Sequence, residues 1–169
     1  MSVKEVIYQR RSVRKYQDKE ISKEVINELL DAARKAPSAK NIQSHKYFVV
    51  NDKEIIEKLK LNKSFKQPYV YRAPLIIVCC ANPKLYPEID KDHSKDYALV
   101  DLSIAASFLT LRATELGLGS VFVALLYEDK IKKALDISKD YIIPFVLAIG
   151  YPAETPDPRF KKERYEIVF

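Results

Sequence analysis

Between Ala98 and Leu111 the chain carries a single charge, Asp101, inside a run from Asp96 to Leu116 whose spacing predicts one long helix. A helix apolar nearly all round must be covered nearly all round. The chain has 169 residues, enough for one domain (1–169) with a real core and too few for two ordinary ones. One sheet face cannot cover such a helix, so a partner subunit is the expected second cover. Gly117 stands where the helix should end. The matching sheet material is Leu75 to Ala81, seven apolar residues bounded by Pro74 and Asn82, which reads as a central strand buried on both faces. Tyr47–Val50, Gly119–Leu125 and Tyr141–Tyr151 read as three more strands, and Pro144 argues for an early or edge position in the last.

Around these lie shorter helices. Ser2 and Glu5 have capping-box spacing, and Val3, Val6 and Ile7 form one apolar stripe. Ser22 caps a helix from Ile21 to Ala36, with Ile21 and Ile26 as a hydrophobic staple. Asp52–Leu61 and Glu128–Leu135 also have helical spacing. Asn62 to Tyr71 is aperiodic, polar and aromatic, the expected mobile or substrate-facing piece. The tail from Pro152 turns apolar at Ile167-Val168-Phe169, which suggests a captured strand, with the other subunit one candidate to hold it.

Several functions are excluded by what is missing. The net charge of +6 is spread and interleaved with acids, so no nucleic-acid stripe forms. Without a charged-then-apolar leader or a run of about 18 apolar residues, a soluble, cytoplasmic protein with no membrane span is expected. The adjacent Cys79 and Cys80 read as buried free thiols. Neither His45 nor His93 has metal-ligand spacing, so no metal site is expected. Gly117-Leu118-Gly119 lacks the third glycine of a dinucleotide fingerprint, and Ser120 sits in no nucleophile elbow. A chain with no catalytic side chain of its own fits an enzyme whose cofactor carries the reaction.

The chemistry that remains is cationic. Arg10-Arg11-Ser12-Val13-Arg14 puts three guanidinium groups and a hydroxyl into five residues directly after the first helix. Arg10 and Arg11 could simply complement the negative end of that helix, worth up to about 1 kcal/mol at a surface. Further on, Pro37-Ser38-Ala39-Lys40-Asn41-Ile42-Gln43 forms a loop of small and amide-bearing residues before an apolar strand. An Arg-Arg-Ser-x-Arg start, a helix ending in Ala-Pro-Ser-x-x-Asn-x-Gln and the strand after it resemble the FMN-dependent nitroreductase family, and later segments extend the likeness to nearly the whole chain.

The resemblance implies an α+β fold with a mainly antiparallel central sheet flanked by helices, a long buried central helix and a homodimer with two FMN sites at its interface. It implies hydride transfer from NADH or NADPH to small flat acceptors such as nitroaromatics or quinones, in ping-pong order. By the same resemblance Arg10 and the distal Arg159, Lys161 and Lys162 would bind the phosphate with Ser12 adding a hydroxyl, Arg11 belongs to the cofactor-binding set, and Arg14 would lie at the pyrimidine edge. Pro37, Ser38, Ala39 and Asn41 match the stretch that reaches the flavin from the second subunit, and Val123 and Ala124 the segment whose backbone N–H can meet N5. The chain departs from the family at Gln43-Ser44-His45, at Ala124 where glycine is frequent, and at Lys161 where arginine is frequent. A same-fold reductive dehalogenase, a flavin-consuming enzyme and a non-catalytic flavin-binding module stand as alternatives.

Overall fold

The computed structural model describes residues 1–86 and 92–163. Helices α1 (Val3–Gln9) and α2 (Lys23–Arg34) precede strand β1 (His45–Val50) and helix α3 (Lys53–Leu61). Strand β2 (Leu75–Ala81), helix α4 (Ser94–Glu115), strand β3 (Gly119–Val123), helix α5 (Glu128–Leu135) and strand β4 (Ile142–Gly150) follow. The four strands form one antiparallel sheet in the order β1-β2-β4-β3. Period-2 alternation divides its side chains between two cores. Ile77, Cys79, Leu147 and Ile149 pack with α2 and α4 on one face, whereas Ile76, Val78, Cys80 and Val146 pack with α3 and α5 on the other. All of β2 is buried, as expected of a central strand.

The local signals act as their chemistry dictates. Ser2 and Glu5 close a reciprocal capping box, and Ser22 and Asp52 accept backbone N–H bonds at the starts of α2 and α3. After α4, Gly117 takes φ +75°, and Leu118 N–H donates to Ala113 O at 2.8 Å, satisfying a terminal carbonyl.

The structure bears on three expectations. Of the early or edge position expected for Pro144, the first holds: it is early in β4, which is a central strand. Cys79 pairs with Phe145 and Ala81 with Ile142, so a bulge at Ile143-Pro144 absorbs the missing donor, beyond the point where β3 ends opposite Val146. The stripe of α1 is only partly buried: Val6 is covered, whereas Val3 and Ile7 are 75% and 54% exposed. Segment 62–71 is packed rather than loose, with Phe65 and Val70 buried and Phe65 N–H donating to the Tyr71 hydroxyl at 2.7 Å, which leaves the substrate-facing alternative. Its aromatic residues supply the core contacts that its lack of period concealed. The apolar run Ile167-Val168-Phe169 lies outside the described residues.

By length and composition α4 could cross a membrane. Here it is the core helix of the α2 side, burying Ala98, Leu102, Ala105, Ala106, Leu109 and Ala113. Its opposite face leaves Val100 55% and Phe108 41% exposed. Beside it, Met1, Val3, Phe108 and Leu111 line an apolar groove of about 460 Å³.

Candidate functional site

The arginine segment leaves α1 at Arg10 and is stitched to the sheet. Ser12 bridges Ser120 in parallel fashion, and Val13 N–H donates to Ser120 O at 3.1 Å. Val13 presses on Gly119 so closely that a Cβ there would lie 2.6 Å from the valine Cβ. A second close approach locks Tyr16, whose ring would lie 2.7 Å from a Cβ on Gly150. The Tyr16 hydroxyl sits 2.7 Å from Val13 O and 3.0 Å from Ala148 O, and burial pushes this phenol well above its usual range.

The carboxyl-terminal tail then returns alongside. Ala153 N–H donates to Lys15 O at 2.9 Å. One Glu154 carboxylate oxygen accepts from Arg14 N–H at 2.7 Å and Lys15 N–H at 3.2 Å. Residues 156–161 thereby wall a cavity of about 830 Å³ whose other side is Ile7, Tyr8 and the arginine segment. Among the described residues, Arg10, Arg11, Arg14, Arg159 and Lys161 line it against a single carboxylate, Asp157. Ser12 adds its hydroxyl.

The cations do different work. The Arg11 guanidinium donates to Tyr8 O at 2.5 Å and Arg10 O at 3.0 Å, so the helix-end role suits Arg11 even though it lines the cavity. Arg14 donates to Ser12 O at 3.2 Å and stands 5.7 Å from the centre of the Tyr69 ring, which brings segment 62–71 beside the site. Lys162 is exposed and does not line the cavity.

Pro37, Ser38, Ala39, Asn41, Val123 and Ala124 are also absent from the lining. Val123 is buried at the end of β3, and Ala124 after it is exposed. The loop of Ser38 and Asn41 is pinned elsewhere. Ala39 N–H donates to Asp101 Oδ2 at 2.9 Å, and the Tyr86 hydroxyl donates to the same oxygen at 2.6 Å. Tyr86 also meets Ser44 Oγ at 2.9 Å. Within this chain the arginine cavity and the 37–43 loop are separate.

Sequence reasoning missed Glu154, Tyr86 and the Val13–Gly119 contact. Asp101 had a signal, the lone charge in an apolar helix, but spacing could not say what it bonds. Burial disfavours both thiolates: it raises Cys79 well above the usual thiol value and pushes Cys80 up to about 12.

The chain is thus an antiparallel α+β fold with a cationic cavity between its amino-terminal arm and its tail. The chain belongs to the nitroreductase family, which it matches over residues 7–64 and 60–151, and it is an oxidoreductase. A protein of Methanothermobacter thermautotrophicus, provisionally named NADH dehydrogenase/NAD(P)H nitroreductase, is 36% identical over 94% of this chain and 82% of its own length. The solved FMN-dependent nitroreductase of Clostridium difficile R20291 is 30% identical, with a TM-score of 0.81 over 97% of this chain and 96% of that one. A nitroreductase family protein from Streptococcus pneumoniae TIGR4 superposes with a TM-score of 0.90 over 99% of both chains, at 20% identity.

Proposed function

We propose that this oxidoreductase binds FMN in the cationic cavity and passes hydride from NADH or NADPH to small flat acceptors such as nitroaromatics or quinones, as a homodimer of single-domain chains. The observation that carries the reading is the convergence of Arg10, Arg14, Arg159 and Lys161 on one cavity. Guanidinium forks suit a phosphate dianion bidentately, and about 830 Å³ is within the range of cofactor sites. FMN, when bound, supplies the hydride-accepting and hydride-donating centre that no side chain here provides. The chain's own residues bind and tune. Arg10, Ser12, Arg159 and Lys161 hold the phosphate; Arg14 sets a fixed positive charge near the pyrimidine edge, where reduction builds negative charge. Glu154 fixes the Arg14 backbone, and the Arg14 side chain packs on Tyr69.

The names of the relatives support the nicotinamide donor, and that of the Clostridium difficile R20291 structure supports FMN. The exposed Val100 and Phe108 and the apolar groove beside α1 support the dimer, in which loop 37–43 of one subunit completes the site of the other. Nicotinamide and acceptor take turns at one site, so initial-rate plots should be parallel.

The test is a spectrum. The purified protein, reconstituted with FMN, should be yellow and bleach anaerobically with NADH or NADPH; a protein that takes up no flavin overturns the proposal. Arg14→Gln should keep the fold and slow this bleaching by the equivalent of about 2 to 4 kcal/mol, the usual worth of one preorganised charge at a reacting centre. Unchanged anaerobic rates would remove Arg14 from the site.

A further inference from the structure

Asp101 is the one charged residue on the buried face of α4, 4% exposed, and its Oδ2 grips both ends of a strained loop. It accepts directly from Ala39 N–H, and through the Tyr86 hydroxyl it reaches Ser44 Oγ. Between those ends Lys40, Asn41 and Gln43 take φ of 48°, 56° and 53°. Left-handed backbone disfavours residues other than glycine and persists only where the surroundings over-determine it. Bonds inside the loop tie it only to itself: Asn41 N–H to Ser38 O at 2.9 Å and Gln43 N–H to Ser38 Oγ at 3.1 Å. The anchors at Ala39 and Ser44 carry that conformation to the rigid helix.

We infer that Asp101 is a positioning residue, holding loop 37–43 through Ala39 N–H and the Tyr86–Ser44 pair in the form that meets the flavin across the dimer. The inference rests on the flavin reading above. Asp101 touches no substrate or cofactor; it acts by keeping the loop in one conformation, so that binding does not first have to select it.

The experiment compares Asp101→Leu, which removes both acceptor bonds, with Asp101→Asn, whose carbonyl oxygen can accept the same two. FMN affinity is read by titration of flavin fluorescence, and amide hydrogen exchange is read on the FMN-free protein. In Asp101→Leu, FMN binding should weaken by about tenfold to a hundredfold, as expected when both acceptor bonds are lost and the competent fraction falls. The amides of residues 39–43 should exchange faster while those of β2 keep their protection. Asp101→Asn should restore both readings to within about threefold, because hydrogen-bond geometry rather than full charge sets the loop. Unchanged affinity and unchanged loop exchange in Asp101→Leu would overturn the inference, as would faster exchange spread equally through β2, which marks a merely structural role. If Asp101→Leu does not fold, Asp101→Leu with Tyr86→Phe, which removes the stranded phenol donor, is read in its place. An Arg10→Gln/Arg14→Gln variant that binds FMN as tightly as the parent would overturn the flavin reading, while loop exchange would still decide the role of Asp101.

Discussion

Val13 and Gly119 show how a branched side chain packed on a glycine can position the arginine segment. The valine flanks Ser12 and Arg14, and it can reach Ser120 O only because Gly119 has no Cβ to strike it. Gly119→Ala should force the arginine segment off the sheet, costing about 1 to 3 kcal/mol as overpacking usually does. A lower melting temperature with weaker FMN binding is the expected result, and adding Val13→Ala should recover most of both; failure of the second substitution to rescue would separate the glycine from the arginines. The adjacent thiols call for the opposite expectation. Cys79 and Cys80 face opposite cores and stay protonated, so replacing both by Ala should cost about 1 to 3 kcal/mol through small cavities and leave turnover per bound FMN unchanged. In the unfolded chain these thiols ionise near 9.0, whereas folded Cys80 holds its proton to about 12. Between those values the unfolded state binds fewer protons, so stability falls as pH rises, and the double variant should show a shallower alkaline loss. Urea midpoints at pH 8 and pH 10 measure the difference.

Among the elements, the tail from Pro152 to Lys161 belongs structurally to the amino-terminal arm. Beyond the Ala153 N–H bond to Lys15 O, its fastening is Glu154, whose carboxylate takes the Arg14 and Lys15 N–H groups. Glu154→Ala leaves the partly buried Arg14 N–H without that partner and should cost about 1 to 3 kcal/mol. Limited proteolysis should then cut first between residues 154 and 161, with FMN affinity lowered; a tail as resistant as the parent's would show that the cavity wall stands without Glu154. Most of the elements themselves were legible, because each announces itself locally: Ser2, Ser22 and Asp52 as caps, Gly117 as a stop, the seven apolar residues of β2 as a buried strand. The arginine half of the site was legible for a similar reason, since three cations within five residues need no tertiary contact to be seen. Glu154 was not, because its partners lie about 140 positions away in sequence. The bulge at Pro144 was not legible either, because a bulge is a property of two strands, and no single strand records it.

At the scale of the whole molecule, the long apolar helix poses one question with two answers on two faces. Leu102 and Leu109, fully buried, belong to the chain's own core, so a carboxylate at either should unfold the protein and report nothing about assembly. Val100 and Phe108 are exposed, and Phe108 lines the groove with Met1 and Val3. A carboxylate there meets water in the single chain and an apolar wall in the proposed dimer. Val100→Glu with Phe108→Glu should therefore fold with little change in far-ultraviolet circular dichroism, yet remain monomeric. Since loop 37–43 of one subunit is proposed to complete the cavity of the other, that monomer should also lose FMN. In the parent protein the dimer should persist without flavin, held by the apolar face. Added FMN should tighten it, as any ligand that binds only the assembled state must. Light scattering read beside flavin absorbance across a dilution series measures both, and a monomer that keeps stoichiometric FMN at every concentration would place the whole site within one chain.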